Sequence, residues 1–188
     1  MIAAAGHIVV SPIGEVDSAL CDVVGQEASR SFGLPIQVMP LVEEIAFAYD
    51  TQRRQYHSTK ILEQLAESAP PQAVKIIGIA TVDLFIPILT HVYGEAQLGG
   101  KACMISTYRL RENPHKGPGQ VSLKDRAVKE AIHELGHTFK LKHCPEHGCI
   151  MHYCRSIADV DRKTVGFCRH CRVMLEDELK RMEHQMRG

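Results

Sequence analysis

Apolar positions along the chain follow two periods. In residues 15–30 they fall at Val16, Leu20, Val23, Val24 and Ala28, the spacing of one helix face, and Gly33 supplies a stop. Apolar runs at residues 7–10 and 35–42 flank this helix and read as strands. Residues 1–12 (MIAAAGHIVVSP) lack a basic stretch before the apolar one, so they are expected to form a first strand and not a signal peptide. Ser58 is expected to cap a helix through Ile61, Leu62, Leu65 and Ala66, which Pro70 and Pro71 end. Residues 74–82 (VKIIGIATV) are mostly apolar and rich in β-branched side chains, as a strand buried on both faces tends to be. Residues 43–55 follow neither period, and Pro87 and Gly94 break residues 85–98. Gly99 and Gly100 mark a turn, residues 102–107 (ACMIST) read as a last strand, and residues 113–119 (NPHKGPG) as a loop.

Strands alternating with helices predict an α/β fold, a largely parallel sheet covered by helices. Ser122 with Asp125 three positions on predicts a capping box. Behind it Ala127, Val128, Ala131, Ile132 and Leu135 form one apolar stripe, extended by Phe139. A helix with that stripe buries one side on the sheet and turns His133 and His137 toward a cleft. Leu175, Leu179, Met182 and Met186 repeat at helical spacing and predict core packing of a last helix.

Composition narrows the function. The 188 residues suffice for one domain with a real core. Twenty-two basic residues balance 22 acidic ones and no long basic run occurs, so no nucleic-acid or membrane-surface partner is expected. No apolar run has the length of a membrane span. Five of the seven cysteines lie between Cys144 and Cys171, near histidines. That clustering suits metal binding in a reducing compartment, and a cytoplasmic location is expected. Cys21 and Cys103 stand alone among apolar residues and are expected to be buried.

The chemistry concentrates in the stretch from His133 to Cys171. It opens with H-E-x-x-H, which places two imidazoles one helical turn apart, close enough to share a metal at about 2.0–2.1 Å. Glu134, rotated away from them, can reach a metal-bound water and act as general base. His143 comes six residues after His137, so the chain must leave the helix near Phe139 and Lys140 and swing back. Three histidines with an open fourth position make a catalytic zinc site. Cys144 and Cys149, with Cys168 and Cys171, make two pairs that suit a closed, structural thiolate site. Cys154 is a spare sulfur in the cluster, and His147 and His170 lie near it, so spacing alone leaves the ligand set open.

This stretch resembles the archaemetzincin family of zinc metallopeptidases in the metzincin clan. The family pattern H-E-x-x-H-x-x-G-x-x-H-C, then C-x-M, then C-x-x-C, falls on His133, Glu134, His137, His143, Cys144, Cys149, Met151, Cys168 and Cys171. The preceding segment HVYGEAQLGGKACMISTYRL is similar to the family as well. The resemblance implies a metzincin-like zincin: a mainly parallel twisted sheet with one antiparallel edge strand, packed on helices, and a small zinc-stapled C-terminal subdomain ending in a helix. It divides a single catalytic domain, 1–188, into residues 1–140 with the active-site helix and residues 141–188 with the four-cysteine site. It implies two zinc ions, one catalytic and one structural, and a peptide or protein substrate bound extended along residues 92–98. A monomer is expected. Met151 takes the place of the methionine in the turn beneath the catalytic zinc. Tyr153 matches the Met-x-Tyr of astacins, which implies an auxiliary role near the metal, with simple packing as the alternative. Lys140 departs from the pattern, standing where the family has a Gly.

The expected activity is hydrolysis of peptide bonds by zinc-bound water assisted by Glu134. One rival is a peptide-binding module, stabilised by zinc, that keeps the metal site without turnover; Lys140 favours it. The other is a zinc endoribonuclease with three histidines at these intervals, against which Glu134 and the cysteine pairs argue.

Overall fold

The structure, a computed structural model, describes residues 6–112 and 121–187. The expected loop at 113–119 and residues 1–5 of the first segment lie outside the described residues, as does the side chain of Met186.

The main sheet has strand order β2-β1-β5-β8-β7. Strands β1 (His7–Pro12), β2 (Ile36–Val38), β5 (Ala73–Ala80) and β8 (Ala102–Ser106) run parallel, and β7 (Gly94–Ala96) closes one edge antiparallel to β8. Among the described residues, five α-helices accompany it: α1 (Ser18–Phe32), α2 (Ser58–Glu67), α3 (Leu123–Thr138), α4 (Ile157–Arg162) and α5 (Arg169–Arg187). A parallel sheet needs cover on both faces, and the central strands show it. Ile77 and Ile79 of β5 join the core with α1 and α3, while Ile76 and Ala80 join the core with α2. Residues of β1 and β8 divide in the same way. This two-sided burial is why their sequences are mostly apolar.

Residues 43–55, which followed neither period, contribute to a second, three-stranded sheet. It orders β3 (Tyr49–Asp50), β4 (Gln55–His57) and β6 (Leu84–Phe85), strands too short to impose a pattern. Helix α1 begins at Ser18 with Asp17 as its cap and ends at Gly33 in the left-handed conformation. Val16 therefore precedes the helix, and Val23 on it is exposed. Ser58 is the first residue of α2 and not its cap. Its hydroxyl donates instead to the Phe85 carbonyl and to Glu95, which binds α2 to the β6 and β7 strands. The capping box at Ser122 and Asp125 forms as expected. The stripe from Ala127 to Phe139 is buried, as are Cys21 and Cys103. Leu175 is buried and Leu179 and Met182 pack against the same core. Among the described residues, no helix is long and apolar enough to cross a membrane.

Helix α3 is buried on more than its apolar side. Arg126 holds Asp161 through Nε and Nη2 at 2.6 and 2.8 Å, and donates to the Leu110 and Glu112 carbonyls. Lys129 donates to the Val160 and Asp161 carbonyls at 3.1 and 2.9 Å. Burying charges is costly unless they are paired, and these pairs fasten α4 against the helix.

Candidate active site and metal centres

Helix α3 ends under the edge strand, and its end is tied there. Phe139 is the C-cap and Lys140 follows at φ 65°, so the chain turns where the sequence required. A left-handed residue with a Cβ costs about 1–2 kcal/mol, which is why Gly is usual at such turns. Lys140 accepts that conformation while its ammonium meets Glu178 of α5 at 2.5 Å. The Gly99 N–H donates to the His137 carbonyl at 2.9 Å. Lys75, the one charge in its apolar strand, donates to the Thr138 and Gly100 carbonyls at 2.6 and 2.7 Å. Burial draws its pKa down to about 8, and a cation here faces the negative end of α3.

This turn brings His143 back to His133 and His137; one ring nitrogen from each lies within 4.8 Å of the others. The first two rings are oriented from behind. His133 Nδ1 donates to the Ile150 carbonyl at 2.8 Å and His137 Nδ1 to the Leu141 carbonyl at 2.7 Å. Each proton on Nδ1 leaves a lone pair on Nε2, and the two Nε2 atoms stand 3.1 Å apart. Tetrahedral bonds of 2.0–2.1 Å would separate two ligand nitrogens by roughly 3.3 Å, so the pair fits zinc. Burial lowers the pKa of His133 well below the usual histidine value, with the nearby Lys163 cation adding to it, and lowers His137 and His143 too. Neutral imidazole is the form that binds metal.

Glu134 is buried beside them. Burial, with Glu130 next, pushes its carboxyl well above the usual carboxylate range, and a divalent cation nearby would oppose that shift. Its Cγ approaches β7 so closely that a Cβ at Gly94 would lie 2.7 Å from it and 2.6 Å from the Met104 carbonyl oxygen. Met151 lies under the helix, where its sulfur would be 2.4 Å from a Cβ at Gly136. The cleft in front measures about 750 Å3. Leu89, Val92, Tyr93, Glu95, Tyr153 and Arg155 are among the residues that line it. The Tyr153 ring lies 4.9 Å from that of His143, tilted by 54°.

Sequence reasoning missed several residues around this cleft. Glu95 accepts from the hydroxyls of Ser58 and Thr59, which fixes β7 against α2. Glu130 lines the cleft and stands 2.7 Å from Lys163, a fully buried lysine, as an ion pair off the angle of a good hydrogen bond. Burial works against the Lys163 charge most strongly of any single cause, but Glu130 and Cys154 together outweigh it and raise the pKa. Lys75 left a signal, a charge inside an apolar run, and Gly94 another, a break in residues 85–98; Glu95, Glu130 and Lys163 left none.

The second cluster gathers Cys144, Cys149, Cys168 and Cys171, with sulfurs within 4.8 Å of one another. Cys144 and Cys168 Sγ are 3.8 Å apart, far beyond the 2.03–2.05 Å of a disulfide and close to the roughly 3.8 Å that tetrahedral Zn–S bonds of 2.3 Å impose. The Cys168 N–H donates to Cys149 Sγ at 3.3 Å and the Cys171 N–H to Cys168 Sγ at 3.5 Å. The latter lowers the Cys168 pKa, while burial raises those of Cys144 and Cys171. Four thiols in one buried spot, some with N–H donors aimed at them, are a donor set for a cation. Cys154 stays outside this set: its Sγ faces the His152 carbonyl, and burial raises its pKa to about 11. His147 and His170 are not in it either.

Three histidines with one side open to a large cleft would leave a bound metal accessible to substrate, and Met151 packs against Gly136 of the same helix; both fit a zinc metallopeptidase of the metzincin type. The pattern of peptidase family M54 matches residues 12–177. The archaemetzincin of Methanocaldococcus jannaschii is 36% identical over 172 residues, 91% of this chain and 93% of the relative. The chain belongs to the archaemetzincin family, peptidase family M54. Solved structures agree. The Methanopyrus kandleri archaemetzincin superposes with a TM-score of 0.80 at 30% identity, over 96% of this chain and 99% of that one. That of Archaeoglobus fulgidus, complexed with malonate, gives 0.75 at 34% identity, over 89% and 99%.

Proposed function

We propose that His133, His137 and His143 hold a catalytic zinc, that Cys144, Cys149, Cys168 and Cys171 hold a structural one, and that Glu134 is the general base of peptide hydrolysis. The convergence of three imidazole nitrogens beside Glu134 on the floor of the cleft carries this reading. A zinc bound there polarises the scissile carbonyl and makes an attacking water more acidic. The remaining work falls to the chain. Strand β7 is an edge strand beside the cleft, and an extended peptide adds to it through backbone hydrogen bonds. Gly94 leaves room for Glu134 to stand under that peptide. Glu134 takes the proton of the attacking water and returns it to the leaving amine. The carbonyls of Ile150 and Leu141 hold the ring protons of His133 and His137 throughout. Tyr153 packs on His143 and lines the cleft.

In this reading residues 1–140 and 141–188 are the two subdomains of one monomeric, cytoplasmic catalytic domain. Lys140 does not favour the binding-module rival, because at φ 65° it makes the turn that a Gly would make. The test is Glu134→Gln assayed on a peptide library. The variant should keep its zinc and its melting temperature and lose about 10²–10⁴-fold in turnover. Full turnover with full zinc would remove Glu134 from the mechanism, and no turnover by the zinc-loaded wild type would favour the binding module.

A further inference from the structure

A second pair of histidines, outside both clusters, brings two ring nitrogens as close together as those of His133 and His137. His152 follows Met151 directly, and its Nδ1 donates to the Cys144 carbonyl at 3.0 Å. A backbone carbonyl holding one ring nitrogen is the usual support of a metal-binding histidine. It leaves the His152 lone pair on Nε2. That atom stands 3.2 Å from Nδ1 of His147, with ring centroids 4.5 Å apart and planes at 57°. The matching figures for His133 and His137 are 3.1 Å and 4.7 Å.

Two lone pairs do not face each other at 3.2 Å across an empty gap; either a proton on His147 or a cation lies between them. Tetrahedral zinc would set its two nitrogens roughly 3.3 Å apart, close to what is found. His147 is exposed, so water can complete the coordination. We propose that His147 and His152 form a third metal site, a labile one for a borderline divalent cation. It takes zinc, and copper(II) more tightly, as the order of divalent affinities for imidazole requires.

The position gives the site a consequence. Cys144 N–H donates to the Met151 carbonyl, and the Cys144 carbonyl accepts from His152. His147 sits on the loop between Cys144 and Cys149. A cation joining His147 to His152 therefore pins that loop to the residue following the methionine turn, next to His143. The proposal does not depend on the peptidase reading.

The test uses the full chain with its tightly held zinc in place and excess metal removed by dialysis. Zinc, and separately copper(II), is titrated in by calorimetry near neutral pH, with metal content measured on the same samples. The wild type should take one further equivalent, and copper(II) bound there should show electron paramagnetic coupling to two nitrogens. His147→Ala should weaken that equivalent by about tenfold or more while keeping the original zinc and the hydrolytic activity. His152→Ala should do the same to the further equivalent, and His147→Ala serves alone if that variant misfolds. A further equivalent that survives in His147→Ala, or none at all in the wild type, would show an imidazole–imidazole hydrogen bond only and overturn the proposal.

Discussion

The three-histidine and four-cysteine clusters occupy one stretch of chain, yet they differ in which way they face. The histidines grade from buried His133 through half-buried His137 to exposed His143, and all three line the cleft. Of the four clustered cysteines, Cys168 alone is half-buried, and the sulfurs face one another and nearby backbone N–H groups. One set would leave a bound cation a side free for substrate; the other would close around it. The backbone makes the difference. The left-handed turn at Lys140 returns the chain to the rim of the cleft, whereas α5 carries Cys171 into the core that α3 shares. An open site spends its donors on chemistry, and a closed site on holding residues 144–171 in place.

Breaking the closed cluster should have the largest effect. Structural zinc contributes folding free energy on the order of 10–16 kcal/mol in small zinc peptides, so Cys168→Ser should lower the melting temperature sharply and cost a zinc. Cys154→Ser should change neither, and metal content with melting curves for both variants checks the pair. A Cys154→Ser protein that loses a zinc while Cys168→Ser keeps both would reverse the ligand assignment. Breaking the open site should have the opposite profile: His143→Ala should abolish most hydrolysis and barely move the melting temperature, as steady-state assays beside melting curves would show.

A smaller effect is expected where the two regions meet the sheet. Lys75→Met leaves the Thr138 and Gly100 carbonyls without their donor, at a cost of about 1–3 kcal/mol in denaturant unfolding. The smallest concerns Lys140. Replacing it by Gly relieves a strain of roughly 1 kcal/mol but removes the ion pair to Glu178, worth up to about 1 kcal/mol at an exposed lysine. The net change should be close to zero in the wild type and stabilising in a Glu178→Gln background. Equal changes in the two backgrounds would show that the ion pair contributes nothing.

What could be read from the sequence was what has a period or a fixed spacing. The stripe from Ala127 to Leu135, the capping box at Ser122 and the run at 74–82 each carry one, and so does the H-E-x-x-H stretch with its cysteine pairs. Even the turn at Lys140 was implied, because His143 cannot reach His137 otherwise. The unread parts depend on contacts between distant segments. Arg126, Lys129 and Glu130 look in sequence like the solvated face of a helix, and they are buried only because α4 and Lys163 fold over them. Strands β3 and β4 form a short hairpin too brief to show a period, and β4 is held on its other side by β6, far along the chain. Ser58 looked like a cap because its type is a common one, but Glu95 competes for its hydroxyl.

The contrast between an open and a closed centre is tested most directly by stepwise zinc removal. Zinc-loaded protein is titrated with a chelator while released zinc, peptide hydrolysis and melting temperature are followed together. Two zinc ions should leave in separate steps. The first should take the hydrolytic activity with it and leave the fold intact, and the second should unfold residues 144–171. A single zinc, or a first release that unfolds the protein while activity persists in what remains folded, would contradict the account.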